Sequence, residues 1–275
     1  MTRKAFVIGH PIAHSRSPLI HGTWLAEHAI DGSYEAIDVA PADLPGFFER
    51  LRAGEFVGGN VTIPHKEAVF ALCDTVDPLA RSIGAVNTLV ADGGRVHGTN
   101  TDYLGFLGNL DQGAPGWSDA GGPAIVLGAG GAARAILVAL QSRGIPVILL
   151  NRTRETAERL AAGLGGDIEV AALDTFNVLA PEARLLVNTS SVGMHGTRFA
   201  DFDLARLPPD ALVTDLVYVP LQTPLLADAA ARGLRIVDGL GMLLHQAVPG
   251  FAAWFGITPA VTPQLRARIE ATLDH

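Results

Sequence analysis

The 275-residue sequence contains a single cysteine, Cys73, which excludes an intrachain disulfide and any cysteine-based zinc site. Charge is scarce as well, at 17% of residues against 48% hydrophobic, a balance that buries a core instead of leaving the chain disordered. The net charge is −8 and no basic stripe runs along the chain, which argues against a nucleic-acid partner. A small anionic ligand is still compatible, because a local cluster of donors can hold one inside an acidic protein. No long apolar run opens the sequence: MTRKAFVIGHP breaks at Gly9 and Pro11, too early for a signal-peptide core or a membrane span. The expectation is a cytoplasmic protein without a membrane partner. No repeat of solenoid length is present, and the 31 glycines and 17 prolines are dispersed between apolar runs, as short turns of an α/β protein require.

What is present alternates. Ala5–Ile8 reads as a strand, Leu19–Ile30 as a helix with Ser17 as N-cap and Pro18 in the first turn, Tyr34–Val39 as a strand, Ala42–Ala53 as a helix and Gly58–Ile63 as a strand. This βαβ alternation predicts a largely parallel sheet covered by helices. Asp92-Gly93-Gly94 predicts a tight hairpin turn between Thr88–Ala91 and Arg95–Gly98. A helix starts at Asp102, a looser stretch covers 113–123, and the pattern restarts at Ala124, with further strands at Val147–Leu150, Leu185–Asn188, Leu212–Leu216 and Arg235–Val237. The length suits two domains. Boundaries near Asp102 and Gly239 divide the chain into 1–102, 103–238 and 239–275; if the last piece packs back on the first, the middle is an insertion.

The most informative segment is AIVLGAGGAARAILVAL, Ala124 to Leu140. An apolar strand leads into Gly128-Ala129-Gly130-Gly131-Ala132-Ala133, a G-x-G-x-x-A pattern that opens a helix. The first glycine permits the tight turn, Gly130 lets backbone approach a pyrophosphate, and Ala133 lets helix and strand pack closely. The free N–H groups and positive dipole of the helix N-terminus suit phosphate. After the next strand, where an NAD site carries a carboxylate for the ribose hydroxyls, this chain has Asn151-Arg152-Thr153-Arg154. Two guanidiniums and no repelling carboxylate favour NADP, although either arginine also reads as an ordinary surface charge.

Four other segments concentrate polar groups. Ser15 and Ser17 precede a helix, where hydroxyls can hold a carboxylate. Thr62 and Lys66 follow the end of a strand, where open α/β sheets bind ligands. Asn87 lies in IGAVNTL, and Asp102 stands at a strand-to-helix junction. Each has an ordinary reading too: Ser17 and Asp102 as helix caps, Lys66 as a surface ammonium, Asn87 as a turn residue. His10, His14 and His21 could suggest a metal by spacing, but Pro11 and Pro18 break any shared helix face and no carboxylate or cysteine accompanies them; no metal is expected.

Taken together, GHPIAHSRSP, GGNVTIPHK, IGAVNTL, GTNTDYLGF, VLGAGGAARAI, NRT, VNTSSVGM, DLVYVPLQTPLL and DGLGMLLHQA, in this order from Gly9 to about Gly256, resemble the shikimate dehydrogenase family. The resemblance implies an N-terminal α/β substrate domain completed by C-terminal helices, with an inserted Rossmann-type NADP domain. It implies NADP-dependent, reversible reduction of 3-dehydroshikimate to shikimate in aromatic amino-acid precursor biosynthesis. By the same resemblance Ser15 and Ser17 bind the substrate carboxylate, Asn60, Thr62, Asn87 and Gln246 position its hydroxyls, and Tyr218 closes over the carboxylate end. Lys66 and Asp102 form the catalytic pair. Gly128, Ala129, Gly130, Gly131 and Ala132 hold the pyrophosphate; Asn151, Arg152 and Thr153, with Arg154 beside them, hold the 2′-phosphate; Thr189, Val217, Gly239 and Met242 border the ribose and nicotinamide. The expected partner is a small molecule, and the expected state is a monomer or homodimer. Two alternatives stand beside this reading: a paralogue acting on quinate or an amino analogue, and a non-catalytic ligand sensor of the same fold.

Overall fold

The computed structural model describes residues 2–119 and 121–273. Their elements run Arg3–Gly9 (β1), Ser17–Glu27 (α1), Gly32–Asp38 (β2), Leu44–Arg52 (α2), Gly58–Val61 (β3), Thr75–Val76 (β4), Pro78–Ile83 (α3), Thr88–Asp92 (β5), Arg95–Thr99 (β6) and Asp102–Gly113 (α4). There follow Ala124–Leu127 (β7), Gly131–Ser142 (α5), Val147–Asn151 (β8), Arg154–Leu164 (α6), Ile168–Ala172 (β9), Phe176–Leu179 (α7), Leu185–Asn188 (β10), Val192–His195 (β11) and Leu212–Asp215 (β12). Pro224–Ala231 (α8), Arg235–Val237 (β13), Leu240–His245 (α9), Ala247–Phe255 (α10) and Pro263–Glu270 (α11) complete the chain. Contacts divide it into two units: everything up to Thr101 together with Gln246–Thr272, and Asp102–His245.

The first unit is built on a sheet of order β2-β1-β3-β5-β6-β4. β2, β1 and β3 run parallel, with Ala5 opposite both Tyr34 and Gly58, whereas β5 is antiparallel to β3 and to β6. The turn between β5 and β6 is made at Gly93 and Gly94, both at positive φ, as the Asp-Gly-Gly sequence predicted. Phe6, Phe47, Phe48, Leu51, Phe56 and Leu89 fill one side of this sheet. On the other side α10 returns to it, and its Trp254 donates from Nε1 to the Leu89 carbonyl at 2.8 Å. The indole needs Gly58, because a Cβ there would stand 2.2 Å from Leu89 O and 2.4 Å from Trp254 Nε1.

Helix α1 departs from expectation at both ends. It begins at Ser17 and ends at Glu27, and its N-cap is Arg16, with no side-chain cap hydrogen bond. Ser17 therefore lies inside the first turn, and its N–H donates to the Ser15 hydroxyl at 3.3 Å. The capping role read for Ser17 does not hold, because Arg16 already has helical φ and ψ.

The second unit has an all-parallel sheet of order β13-β12-β10-β7-β8-β9. In the order of its strands along the chain this is the doubly wound dinucleotide arrangement, with the reversal between β7 and β10. Ala124–Leu127 and Leu185–Asn188 are buried on both faces, as a sheet covered by helices on both sides demands. Within this sheet β9 is the strand the sequence reading missed, as it also missed the short β4 and β11; the residues of β9 are only partly buried at a sheet edge, so its apolar signal is weak. Helix α9 packs on α4. Asn109 of α4 donates to the Asp238 carbonyl at 2.7 Å, and His245 pairs with Gln112 at 2.9 Å, which ties residues 239–245 to this unit.

Candidate active site

In the first unit the polar residues gather where β1 and β3 end and where β5 begins. Thr62 follows β3, its N–H donating to the Ile8 carbonyl at 2.9 Å and its carbonyl accepting from His65 N at 2.9 Å. This turn delivers Lys66, whose own carbonyl takes the Val86 N–H at 2.8 Å. His65 beneath it is buried and reaches the Val39 carbonyl at 2.7 Å. The Lys66 main chain is thus held from two sides while its side chain is half-buried.

Asn60, Asn87 and Thr101 are all buried and share one hydrogen-bond network. Tyr34 donates to Asn60 Oδ1 at 2.6 Å. The Asn60 Nδ2 donates to the Asn87 carbonyl and to Thr88 Oγ1, at 3.2 and 3.1 Å. Thr88 Oγ1 donates to Asn87 Oδ1 at 2.9 Å, and that oxygen also accepts the Thr101 N–H at 2.8 Å. Thr101 Oγ1 in turn donates to the Gln246 carbonyl at 2.8 Å, at the entry to α10. Tyr34, Thr88 and Thr101 were not singled out from the sequence. A tyrosine inside a strand carries no positional signal, and the threonines flank motifs whose asparagine and aspartate drew the reading. Asp102, next along the chain, is the first residue of α4 and is half-buried.

His10, His14 and His21, similar by spacing, have different surroundings. His10 pairs with Asp38 at 2.6 Å, which holds that carboxyl below its usual range. His14 is exposed. His21 is fully buried, and burial lowers its pKa to about 3, so its ring is neutral.

In the second unit the glycine turn occupies the reversal point of the sheet. Gly128 has φ +98, and a Cβ on it would lie 2.9 Å from the Ser190 side chain and 3.1 Å from Ser190 N, so only glycine fits between β7 and the segment after β10. Thr189 clamps the same turn, its hydroxyl lying 2.9 Å from the Leu127 carbonyl and 3.0 Å from that of Gly128. Gly130 caps α5 without a side-chain hydrogen bond, so no capping side chain occupies the start of the helix. Around Gly130 and Gly131 a Cβ would meet nothing within 4 Å. An open glycine cradle at a helix start suits a pyrophosphate.

Asn151 closes the cradle's other side: Ala129 N donates to its Oδ1 at 3.2 Å and its Nδ2 donates to the Thr153 carbonyl at 2.8 Å. Arg152 and Thr153 are exposed. Arg154 stands apart from them, since its guanidinium is engaged by Glu158 one helical turn on, at 2.8 Å. The residues present therefore fit a dinucleotide with an extra phosphate, with Arg152 the guanidinium not engaged by a carboxylate among the described residues.

Beyond β12, Asp215 is fully buried. It accepts from Asn188 Nδ2 at 2.8 Å, Val217 N at 3.0 Å and the Thr223 hydroxyl at 2.7 Å, yet burial raises its pKa to about 6. This carboxylate, another group the sequence reading passed over, organises Val217 and the loop that carries the half-buried Tyr218. Gly239 packs under the same loop, where a Cβ would stand 2.5 Å from the Leu216 carbonyl. Its carbonyl accepts the Met242 N–H at 3.2 Å. Among the described residues no helix is long and apolar enough to cross a membrane.

Comparison with known proteins agrees with both halves. Residues 7–89 match the family described as shikimate dehydrogenase substrate binding domain, and residues 118–217 match shikimate / quinate 5-dehydrogenase. Over 273 residues, covering 99% of this chain and 97% of the relative, the sequence is 58% identical to a shikimate dehydrogenase (NADP(+)) of Mesorhizobium japonicum. The solved structure of shikimate 5-dehydrogenase from Thermus thermophilus, in complex with NADP(H) and shikimate, superposes with a TM-score of 0.87 at 40% identity, covering 98% of this chain and 99% of that one. The quinate dehydrogenase of Corynebacterium glutamicum, in complex with NAD, gives 0.89 at 30% identity, covering 98% and 99%. With a glycine cradle on a doubly wound sheet, a polar network at the end of a mixed one, and relatives matched end to end, this chain belongs to the shikimate dehydrogenase family.

Proposed function

We propose that this protein catalyses the NADP-dependent, reversible interconversion of 3-dehydroshikimate and shikimate, in the biosynthesis of aromatic amino-acid precursors. The observation that carries the reading is the continuous network Tyr34–Asn60–Thr88–Asn87–Thr101–Gln246. It joins Asn60 and Asn87, assigned to a polyhydroxylated acid, to the main chain of Gln246, in a family whose members are named for that substrate.

NADPH supplies the hydride when bound, and the protein's residues do the rest. Reduction of a ketone builds negative charge on its oxygen, which needs a proton or a fixed cation at once. Lys66 provides either; a positioned proton transfer is worth roughly 10²–10⁴-fold. Asp102 orients the ammonium and accepts from a substrate hydroxyl. Ser15 and Ser17 hold the carboxylate with Tyr218, while Asn60, Thr62, Asn87 and Gln246 sort the ring hydroxyls. Gly128, Ala129, Gly130, Gly131 and Ala132 take the pyrophosphate, and Asn151, Arg152 and Thr153 the 2′-phosphate, with Arg154 an outer contributor. Thr189, Val217, Gly239 and Met242 border the ribose and nicotinamide. The functional division proposed is 1–102 for substrate, 103–238 for cofactor and 239–275 serving both, since the last piece carries Gly239, Met242 and Gln246.

The enzyme is proposed to act in the cytoplasm as a monomer or homodimer, which sedimentation decides. The test of function is the initial rate of reduced-nicotinamide formation with shikimate or quinate and with NADP or NAD. The reading expects shikimate with NADP to dominate; a preference for quinate or NAD moves the protein to the catabolic paralogue, and absence of turnover with every pair overturns the enzymatic reading and leaves only the fold.

A further inference from the structure

One buried group beside the substrate residues has no role in the mechanism above. Tyr34 of β2 is 8% exposed, and its ring stacks on His21 of α1 with centroids 4.0 Å apart and planes 14° from parallel. Trp24, Phe251 and Trp254 close around the imidazole at 5.6, 5.9 and 5.5 Å. Neither His21 ring nitrogen has a hydrogen-bond partner among the described residues. Asn60 is its polar neighbour, and burial outweighs that contact in keeping the ring neutral. A buried imidazole with no well-formed hydrogen bond is costly and rare. What His21 gives is a flat, uncharged plate against one face of the phenol.

The phenol hydroxyl is the polar end of this stack. It donates to Asn60 Oδ1 at 2.6 Å. The amide orientation of Asn60 is fixed independently, because its Nδ2 faces the Asn87 carbonyl, which only accepts. Tyr34 therefore holds, from within the core, one residue assigned to the substrate, Asn60 of β3.

We propose that Tyr34 is a positioning residue for substrate binding, its hydroxyl setting the Asn60 carboxamide, and that His21 serves as the plate that fixes its ring. The inference rests on the function proposed above. A group that orients binding residues without meeting the reacting carbon changes ground-state and transition-state binding alike, so it moves KM and spares kcat.

The test uses the full-length protein with Tyr34→Phe, His21→Ala and His21→Phe. Tyr34→Phe is expected to raise KM for shikimate about tenfold, the equivalent of one lost hydrogen bond. It should leave kcat within about twofold and KM for NADP unchanged. His21→Ala, which removes the plate, should act in the same direction, and His21→Phe, which restores a flat ring, should rescue KM. The shikimate-induced rise in Tm gives a readout independent of turnover, and it should shrink in Tyr34→Phe while the NADP-induced rise persists. If Tyr34→Phe leaves KM and the shikimate-induced shift at wild-type values, Tyr34 is packing and the proposal is overturned. If Tyr34→Phe does not fold, the histidine pair still decides: equal impairment of His21→Ala and His21→Phe overturns it. Failure of the functional reading is separate, since there the wild type itself neither turns over shikimate nor is stabilised by it.

Discussion

The Thr101 main-chain N–H donates to Asn87 Oδ1 at 2.8 Å, and the Asn87 Nδ2 donates back to Thr101 Oγ1 at 3.1 Å. One carboxamide thus ties the start of β5 to the residue before Asp102, so a side chain assigned to substrate also fixes the chain where the aspartate emerges. Asn87→Ala leaves a buried N–H unpaired. It is expected to cost roughly 1–3 kcal/mol of stability and to lower kcat/KM by about 10²-fold, as displaced catalytic groups do. Thermal unfolding together with steady-state kinetics checks both; a stable variant with normal kcat/KM would show that Asn87 only packs.

Lys66 is held by its main chain, with its carbonyl on Val86 N at 2.8 Å, so replacing the side chain should leave the turn intact. Lys66→Ala is expected to lower kcat by roughly 10²–10⁴-fold with little change in KM for shikimate. Lys66→Arg separates the two possible roles, because a guanidinium keeps the charge but does not release its proton. Substantial activity in Lys66→Arg assigns a fixed cation, and loss equal to that of alanine assigns a proton donor.

Arg152 and Arg154 differ in what else they bind, since Glu158 already holds Arg154 at 2.8 Å. Arg152→Ala should raise KM for NADP about 10–100-fold, the worth of a charge-assisted hydrogen bond to phosphate, and leave KM for NAD unchanged. Arg154→Ala should have a smaller effect. Parallel titrations with both cofactors measure this, and an equal loss for NAD would remove the 2′-phosphate from the explanation.

Two buried groups tilt stability against pH in opposite directions. Asp215 has its folded pKa raised from 3.8 to about 6, so the folded state binds more protons than the unfolded one, and stability falls as pH rises through that window. A shift of this size is worth about 2–3 kcal/mol. His21 has its folded pKa lowered from 6.5 to about 3, so the unfolded state binds more protons and stability is lost as pH falls below 6.5. Tm measured from pH 4 to 7 should therefore rise more steeply with pH in Asp215→Asn than in wild type, and less steeply in His21→Phe. Parallel profiles would contradict the assignment.

Much of this was legible in the sequence. Local patterns announce themselves: strand, glycine turn and alanine-rich helix at 124–140 needed no partner to be recognised, because the backbone conformation of a G-x-G-x-x-A turn is written in its own residues. The missing carboxylate after β8, and Arg152 in its place, told of NADP for the same reason. The ordinary cap reading of Ser17 was a local inference that failed by one residue, since Arg16 had already turned helical.

The sequence by itself determined most of the order of strands and helices and the dinucleotide cradle, since each of these depends on neighbours within a few positions. Only the tertiary structure decided that Tyr34 reaches Asn60 across 26 residues and that Trp254 from the far end of the chain claims the Leu89 carbonyl. It alone decided that Asp215 is a buried carboxylate and His21 a neutral plate. Burial and hydrogen-bond partnership are properties of what the fold brings alongside, and no spacing along the chain encodes them.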